Sequence, residues 1–327
     1  MTFPAQLIAA YEKTLAGNAR LRDSGLLAPL TIDPLRYALF ESKDVQVDIL
    51  RSDQLHPIIS GNKWFKLKYN LAQAQQAGCT ELLSFGGAWS NHLHALACLG
   101  HLLGIKTVGK VRGDELDPTA NSMLAEARLF GMELEFVDRR RYRDYRSDTT
   151  ALSASQRWII PEGGDNELGM LGAGSMMMQS DLLQRNYSHV VVALGTGCTF
   201  AGLRMTLPDS VKLVGVAALK GAWVRQEMQR RMHAYPKQAW YLDCDHHFGG
   251  FGRVDPALLS FIAEIGDNTG LVLDPVYTGK AMIALRDLIA DSVIPCGSRV
   301  LFVHSGGLQG RRGYPSNPLS KPHISSE

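Results

Sequence analysis

From about residue 80 the chain repeats one phrase: a short apolar run, a turn rich in Gly, Ser or Asn, then an amphipathic helical stretch. The runs are ELLSF (81–85), TVGKV (107–111), LEFV (134–137), WII (158–160), HVVVAL (189–194), KLVGVAAL (212–219), LVL (271–273) and RVLFVH (299–304). Between them lie NHLHALACLGHLL, TANSMLAEARLFG and GKAMIALRDLIAD, whose apolar residues recur at helical spacing. Strands that alternate with helices cannot pair as hairpins. They predict α/β architecture, with parallel sheets covered by helices.

At 327 residues and 45% hydrophobic, the chain is long enough for one large core or two moderate ones. A net charge of +2, from 34 basic and 32 acidic residues, gives no global field that would select a nucleic acid or an anionic membrane, so the expected partner is small. The opening MTFPAQLIAAYEKTLAG lacks a basic stretch followed by a sustained apolar one, and no run approaches membrane-span length, which favours the cytoplasm. Cys79, Cys98, Cys198, Cys244 and Cys296 are widely spaced without a CxxC pair and are read as reduced and mostly buried, and no metal-ligand spacing is present. RRRYRDYRSDTTALSASQ (139–156) reads as a loop whose basic field is broken by Asp138, Asp144 and Asp148, hence a solvated surface. NPLSKPHISSE (317–327) reads as a frayed tail.

Four segments carry chemistry, each where a strand end meets a helix start, the place α/β proteins put ligands. In the first, Ser60-Gly61-Asn62-Lys63 opens WFKLKYNLAQAQQAG. A lysine there faces the positive end of the helix dipole, which is unfavourable unless its charge is removed, as imine formation with an aldehyde cofactor does. Lys66 lies about one turn on and is a candidate phosphate contact; no role follows for Lys68. In the second, SFGGAWSNHLHALACLG, the strand ends at Gly86-Gly87 and Ser90-Asn91-His92 begin a helix. Its free amides, with Ser90 and Asn91, suit a carboxylate, although an ordinary N-cap explains the same residues; His94 and His101 read as helix-face residues.

The third, HVVVALGTGCTFAGL, runs from a strand through Gly195-Thr196-Gly197-Cys198-Thr199 into a helix, and its amides and hydroxyls suit a phosphate dianion. A dinucleotide fingerprint fails, because the next glycine, Gly202, is out of register and KLVGVAAL ends in Lys220-Gly221 with no acid for a ribose. The fourth pairs LDPVYTGKAM with LFVHSGGLQG, placing Tyr277 and Ser305 just beyond apolar runs. Core packing for Tyr277 and N-capping for Ser305 are the plain alternatives.

In this order the segments, with GNKxxKL, SNH, PEGGDNELGMLG (161–172) and DPVYTGKA, resemble the family of D-cysteine desulfhydrase and 1-aminocyclopropane-1-carboxylate deaminase over roughly residues 45 to 310. The resemblance implies a two-domain, tryptophan-synthase-β-like (fold type II) pyridoxal-phosphate enzyme. A small domain, 66–170, is inserted into a large cofactor-binding one, 1–65 and 171–327, with the cofactor between them. It implies Lys63 as the Schiff-base lysine, Asn91 against the cofactor ring, and Thr196, Gly197, Cys198 and Thr199 around the phosphate with Lys66 helping. Ser90, Asn91 and His92 would meet the substrate, Tyr277 would approach the ring from the other side, and Ser305 would bond the pyridine nitrogen. The implied activity is deamination of a small amino acid by β-elimination, as in D-cysteine desulfhydrase, in a homodimer.

The pattern departs from the family in three places. Thr278 stands where true deaminases carry the glutamate of DPVYEG, Phe251 stands where both characterised groups carry a tyrosine, and Trp89 replaces a usual glutamine. Ring opening of aminocyclopropane carboxylate is therefore the alternative, and a cofactor binder without turnover is a further one. Phe251 is taken to face the substrate, with core packing as its plain reading.

Overall fold

The computed structural model describes residues 3–178, 182 and 185–314. The tail at 317–327 lies outside them. Ten strands form two sheets among these residues: β1 (Ile32–Leu35), β2 (Gln46–Leu50), β3 (Glu81–Gly86), β4 (Lys106–Arg112), β5 (Glu133–Val137), β6 (Arg157–Ile159), β7 (His189–Leu194), β8 (Lys212–Ala217), β9 (Trp240–Asp243) and β10 (Arg299–Val303). One sheet has the order β1-β2-β10-β7-β8-β9, the other β5-β4-β3-β6. All pairs are parallel except β1 with β2.

Twelve α-helices accompany them in the described chain: α1 (Phe3–Ala16), α2 (Ala19–Asp23), α3 (Ala38–Ser42), α4 (Asn62–Gln76), α5 (Asn91–Leu103), α6 (Ser122–Leu129), α7 (Arg139–Ser147), α8 (Glu167–Gly174), α9 (Cys198–Thr206), α10 (Ala222–Arg231), α11 (Pro256–Thr269) and α12 (Thr278–Ala290). The central strands of the larger sheet are buried on both faces, and their side chains alternate between two cores. Val190, Val192 and Leu194 of β7 join Leu301 and Val303 on one face, while Val191 and Ala193 join Val300 and Phe302 on the other. That period of two is why HVVVAL and RVLFVH are continuous apolar runs rather than alternating ones.

Glycines bring three helices unusually close. A methyl on Gly172 of α8 would lie 1.8 Å from the Phe65 carbonyl oxygen of α4, and one on Gly202 of α9 would lie 2.1 Å from the Met170 carbonyl oxygen of α8. The GMLGAG stretch is thus a seam that clasps α4 on one side and α9 on the other.

Several sequence expectations need correction. LVL (271–273) forms no strand: Leu271 and Leu273 are buried in the core, but the Val272 carbonyl accepts from His304 Nε2 at 2.7 Å instead of joining a ladder. The stretch from 139 folds as α7, because Asp138 caps it by accepting from the Arg140 and Arg141 amides. Only Cys98 and Cys198 of the five free thiols are buried; Cys296 is exposed. No helix of the described residues is long and apolar enough to cross a membrane.

Candidate active site

The Lys63 turn is shaped by a close approach. Gly61 adopts φ 63°, ψ −150°, a conformation essentially confined to glycine. A methyl there would lie 2.0 Å from the Ser305 carbonyl oxygen, which accepts from the Asn62 amide at 3.2 Å. The start of α4 is therefore pinned to the end of β10. From that start Lys63 Nζ donates to Asn62 Oδ1 at 2.7 Å, and Asn62 Nδ2 donates to Thr199 Oγ1 at 2.9 Å. Asn62 links the lysine to the glycine turn at α9, a connection the sequence reading missed although the residue lies in its motif.

Lys63 is only partly covered at its surface, yet protein surrounds the amine. Desolvation, helped by the charge of Lys66 and opposed by Asp274, pushes it down from 10.5 to about 7. Near neutrality roughly half of it is the nucleophilic free amine. Acylation of Lys63 by a small amine-reactive reagent, read by peptide mass against pH, is expected to rise through about pH 7 rather than 10.5. A rise centred above about pH 9 would refute it.

The glycine turn is backed by a second loop. Gly197 has φ 88° and caps α9; the Cys198 amide donates to Thr196 Oγ1 at 3.4 Å, and the next amides of the first turn have no helical partner. Lys66 Nζ donates to the Gly163 carbonyl at 3.0 Å, a methyl on Gly163 would lie 3.2 Å from Thr196 Cγ2, and Cys198 Sγ donates to the Gly164 carbonyl at 3.3 Å. Lys66 thus clamps PEGGDN against the turn. Burial pushes the Cys198 thiol up, so it is a poor nucleophile. A methyl on Gly197 would meet Met228 Cε at 2.2 Å; this glycine serves backbone conformation and helix packing, not only ligand approach.

On the facing side, Ser90 is the N-cap of α5, accepting from the Leu93 amide at 3.2 Å, and a methyl on Gly86 would strike its Oγ at 2.4 Å. His92 points inward to Ser84 Oγ at 2.9 Å. Ser84 gives its proton to the Ile160 carbonyl at 2.8 Å, so His92 donates through Nε2 and keeps a lone pair on Nδ1. Burial, with Lys63 and Lys66 nearby, holds this histidine neutral, well below its ordinary value. Two buried acceptors, His92 Nδ1 and Asn91 Oδ1, have no partner among the described residues, and buried polar groups are rarely left so.

The remaining wall comes from the α12 start. The Asp274 carboxylate accepts from the amides of Val276, Tyr277 and Thr278 at 2.9, 2.8 and 2.9 Å and from Thr278 Oγ1 at 2.6 Å. Thr278 is thereby folded inward. Asp274 was not singled out from sequence, although an acid shortly before a helix is a recognisable cap signal. The Tyr277 ring lies against Gly195, 3.2 Å from where a methyl would be. Burial, Asp274, Glu162 and Tyr314 all push its phenol up, so it stays protonated. Phe251 is 57% exposed, with its ring 6.1 Å from that of Tyr277, so it does not pack a core. Buried Lys280 holds its loop, donating to the carbonyls of His247 at 2.9 Å and Gly250 at 2.8 Å. Ser305 sits buried at the end of β10. His94 is a helix-face residue, paired with Glu126 at 2.8 Å. No group among the described residues has metal-binding geometry.

A partly neutral lysine beside a glycine turn at a helix start fits a phosphorylated aldehyde. A family model described as pyridoxal-phosphate dependent enzyme matches residues 31–306, and the chain belongs to that family. It is 28% identical over 312 residues to a provisionally named 1-aminocyclopropane-1-carboxylate deaminase of Pyrococcus horikoshii, covering 88% of this chain and 93% of that protein. It is also 28% identical over 301 residues to a D-cysteine desulfhydrase of Salmonella typhi, covering 84% and 89%. A solved ACC deaminase homologue superposes with a TM-score of 0.75 at 24% identity, over 91% of this chain and 96% of that one. Threonine deaminase isoform 2 of Solanum lycopersicum gives 0.65 at 14%, over 96% and 94%. At these identities the two structures speak for the fold, which is that of fold type II.

Proposed function

We propose that this chain deaminates a small amino acid by β-elimination, as the name D-cysteine desulfhydrase describes for its relatives. One observation carries the reading: the α12 start offers no free carboxylate, since the Asp274 oxygens are taken by three amides and the Thr278 hydroxyl. The family resemblance assigns the Ser305 hydroxyl to the cofactor's ring nitrogen. A hydroxyl does not stabilise a protonated ring, which suits expulsion of a good β-leaving group better than ring opening.

When bound, pyridoxal phosphate supplies an electron sink. Lys63 would hold it, and its free Nζ would take the proton from the substrate's Cα. Thr196 to Thr199 and the α9 amides would hold its phosphate, and Asn91 would lie against its ring. Ser90 and the α5 amides hold the substrate carboxylate, with His92 behind them. Tyr277 keeps a proton at its phenol oxygen for the departing group. We further propose a division into 66–170 and the remaining chain, and a cytoplasmic homodimer.

A panel of D- and L-amino acids assayed for keto-acid and ammonia release tests the activity; release only from aminocyclopropane carboxylate would overturn elimination. Phe251→Tyr adds one oxygen to an exposed ring beside Tyr277. Its D-cysteine turnover is expected to rise at least about tenfold, with stability unchanged within about 0.5 kcal/mol. Wild-type turnover of D-cysteine that the substitution does not raise would remove Phe251 from the substrate pocket.

A further inference from the structure

The arginine-rich stretch turns one face to a cavity. Helix α7 places Arg139, Tyr142, Arg143 and Arg146 at i, i+3, i+4 and i+7. With Arg112 from the end of β4, they line a space of about 610 Å³ that Gly87 and Ala88 also border. The charges there do not cancel. Arg139 pairs with Glu115 at 2.6 Å, and Arg146 pairs at 3.0 Å with Glu162, which also accepts from the Tyr142 hydroxyl at 3.0 Å. Arg112 lies over the Tyr142 ring, 5.9 Å from its centre. Neither it nor Arg143 has a carboxylate partner among the described residues.

The place of this cavity matters as much as its charge. Gly87 and Ala88 lead directly into Ser90 and the α5 amides. Glu162 precedes Gly163, the residue that receives Lys66, and its charge reaches the Tyr277 phenol. The cavity therefore shares both loops that flank the lysine.

We propose that the cavity receives a second negative group on the substrate's side chain, a carboxylate, sulfonate or phosphate, so that the enzyme selects small anionic amino acids. The assignment rests on the amino-acid reading given above. Two unpaired guanidinium forks match such groups bidentately, which an ammonium would not. Because the chain is otherwise near neutral, at +2, the preference is local to this mouth.

The test is calorimetric titration of the holoenzyme with matched pairs that each carry a β-leaving group, serine against O-phosphoserine and S-carbamoylmethylcysteine against S-carboxymethylcysteine, in both enantiomers, with keto-acid release measured in parallel. In one enantiomeric series the anionic member is expected to bind at least about tenfold tighter at about 0.01 M salt, with the ratio collapsing near 1 M. Arg112→Gln with Arg143→Gln should bring the ratio of anionic to neutral affinity towards unity, and Arg112→Lys should retain part of it. Neutral members that bind as well and are turned over would overturn the anion site while leaving the elimination reading intact. Preferential anionic binding without keto acid would uphold the site and sink elimination, and no binding of any member would sink both. Inorganic phosphate binding as tightly as O-phosphoserine would assign the cavity to a free anion and refute the substrate assignment.

Discussion

Lys63→Ala is expected to leave no pyridoxal phosphate on the chain after borohydride reduction, and to lower amino-acid turnover by at least about 10³-fold. Two losses combine: the covalent hold and the base for the α-proton, and the base alone is worth about 10² to 10⁴. The fold should survive, because the lysine contributes one hydrogen bond, to the neighbouring Asn62, and removing it relieves a desolvated amine beside Lys66. Intact mass after reduction decides the matter. A retained adduct in a folded Lys63→Ala protein would transfer the role to another lysine, and Lys280, also pushed down to about 8, is the one to examine next.

Gly61→Ala is expected to be more damaging than its single methyl suggests. The methyl would lie 2.0 Å from a backbone oxygen that cannot rotate away, and φ 63°, ψ −150° is itself forbidden to alanine. Strain and overlap together should cost about 3 kcal/mol or more. Relief requires the 60–63 turn to leave the end of β10, and that displaces Lys63. Urea unfolding should show the loss, and cofactor affinity should fall with it. Unchanged stability would mean that the turn and Ser305 are not in contact.

Much of this was legible in the residues. HVVVAL, KLVGVAAL and RVLFVH are long and β-branched enough to be strands in any environment, and NHLHALACLGHLL is α5 from end to end. Short elements were not. β1 contains a proline, Pro34, and pairs antiparallel at the sheet edge, so it lacks the apolar run that marks its neighbours; β9, WYLD, is another edge strand with one half-exposed face. LVL misled because three apolar residues satisfy a core equally well without a ladder. At the site, the segments were visible because each joins a strand to a glycine turn. The contacts between segments were not: Asn62 with Thr199, Lys66 with Gly163 and Tyr277 with Gly195 lie between about 80 and 140 residues apart in sequence, and no local pattern encodes such pairs. Arginine composition likewise carried no hint that one helical face would collect Arg139, Arg143 and Arg146.

The glycine seam of α8 bears on how the molecule divides when it moves. Because backbone touches backbone at Phe65 and again at Met170, α4 and α9 cannot slide past one another without breaking contact through α8. Lys63 at the α4 start and the glycine turn before α9 are thus held to one seam, whereas Ser90 and Asn91 open α5 after the β3 strand of the other sheet. Amide exchange should reflect this partition, slow across α4, α8 and α9 in the free enzyme and slowed by substrate mainly along the loop from Gly86 to Asn91.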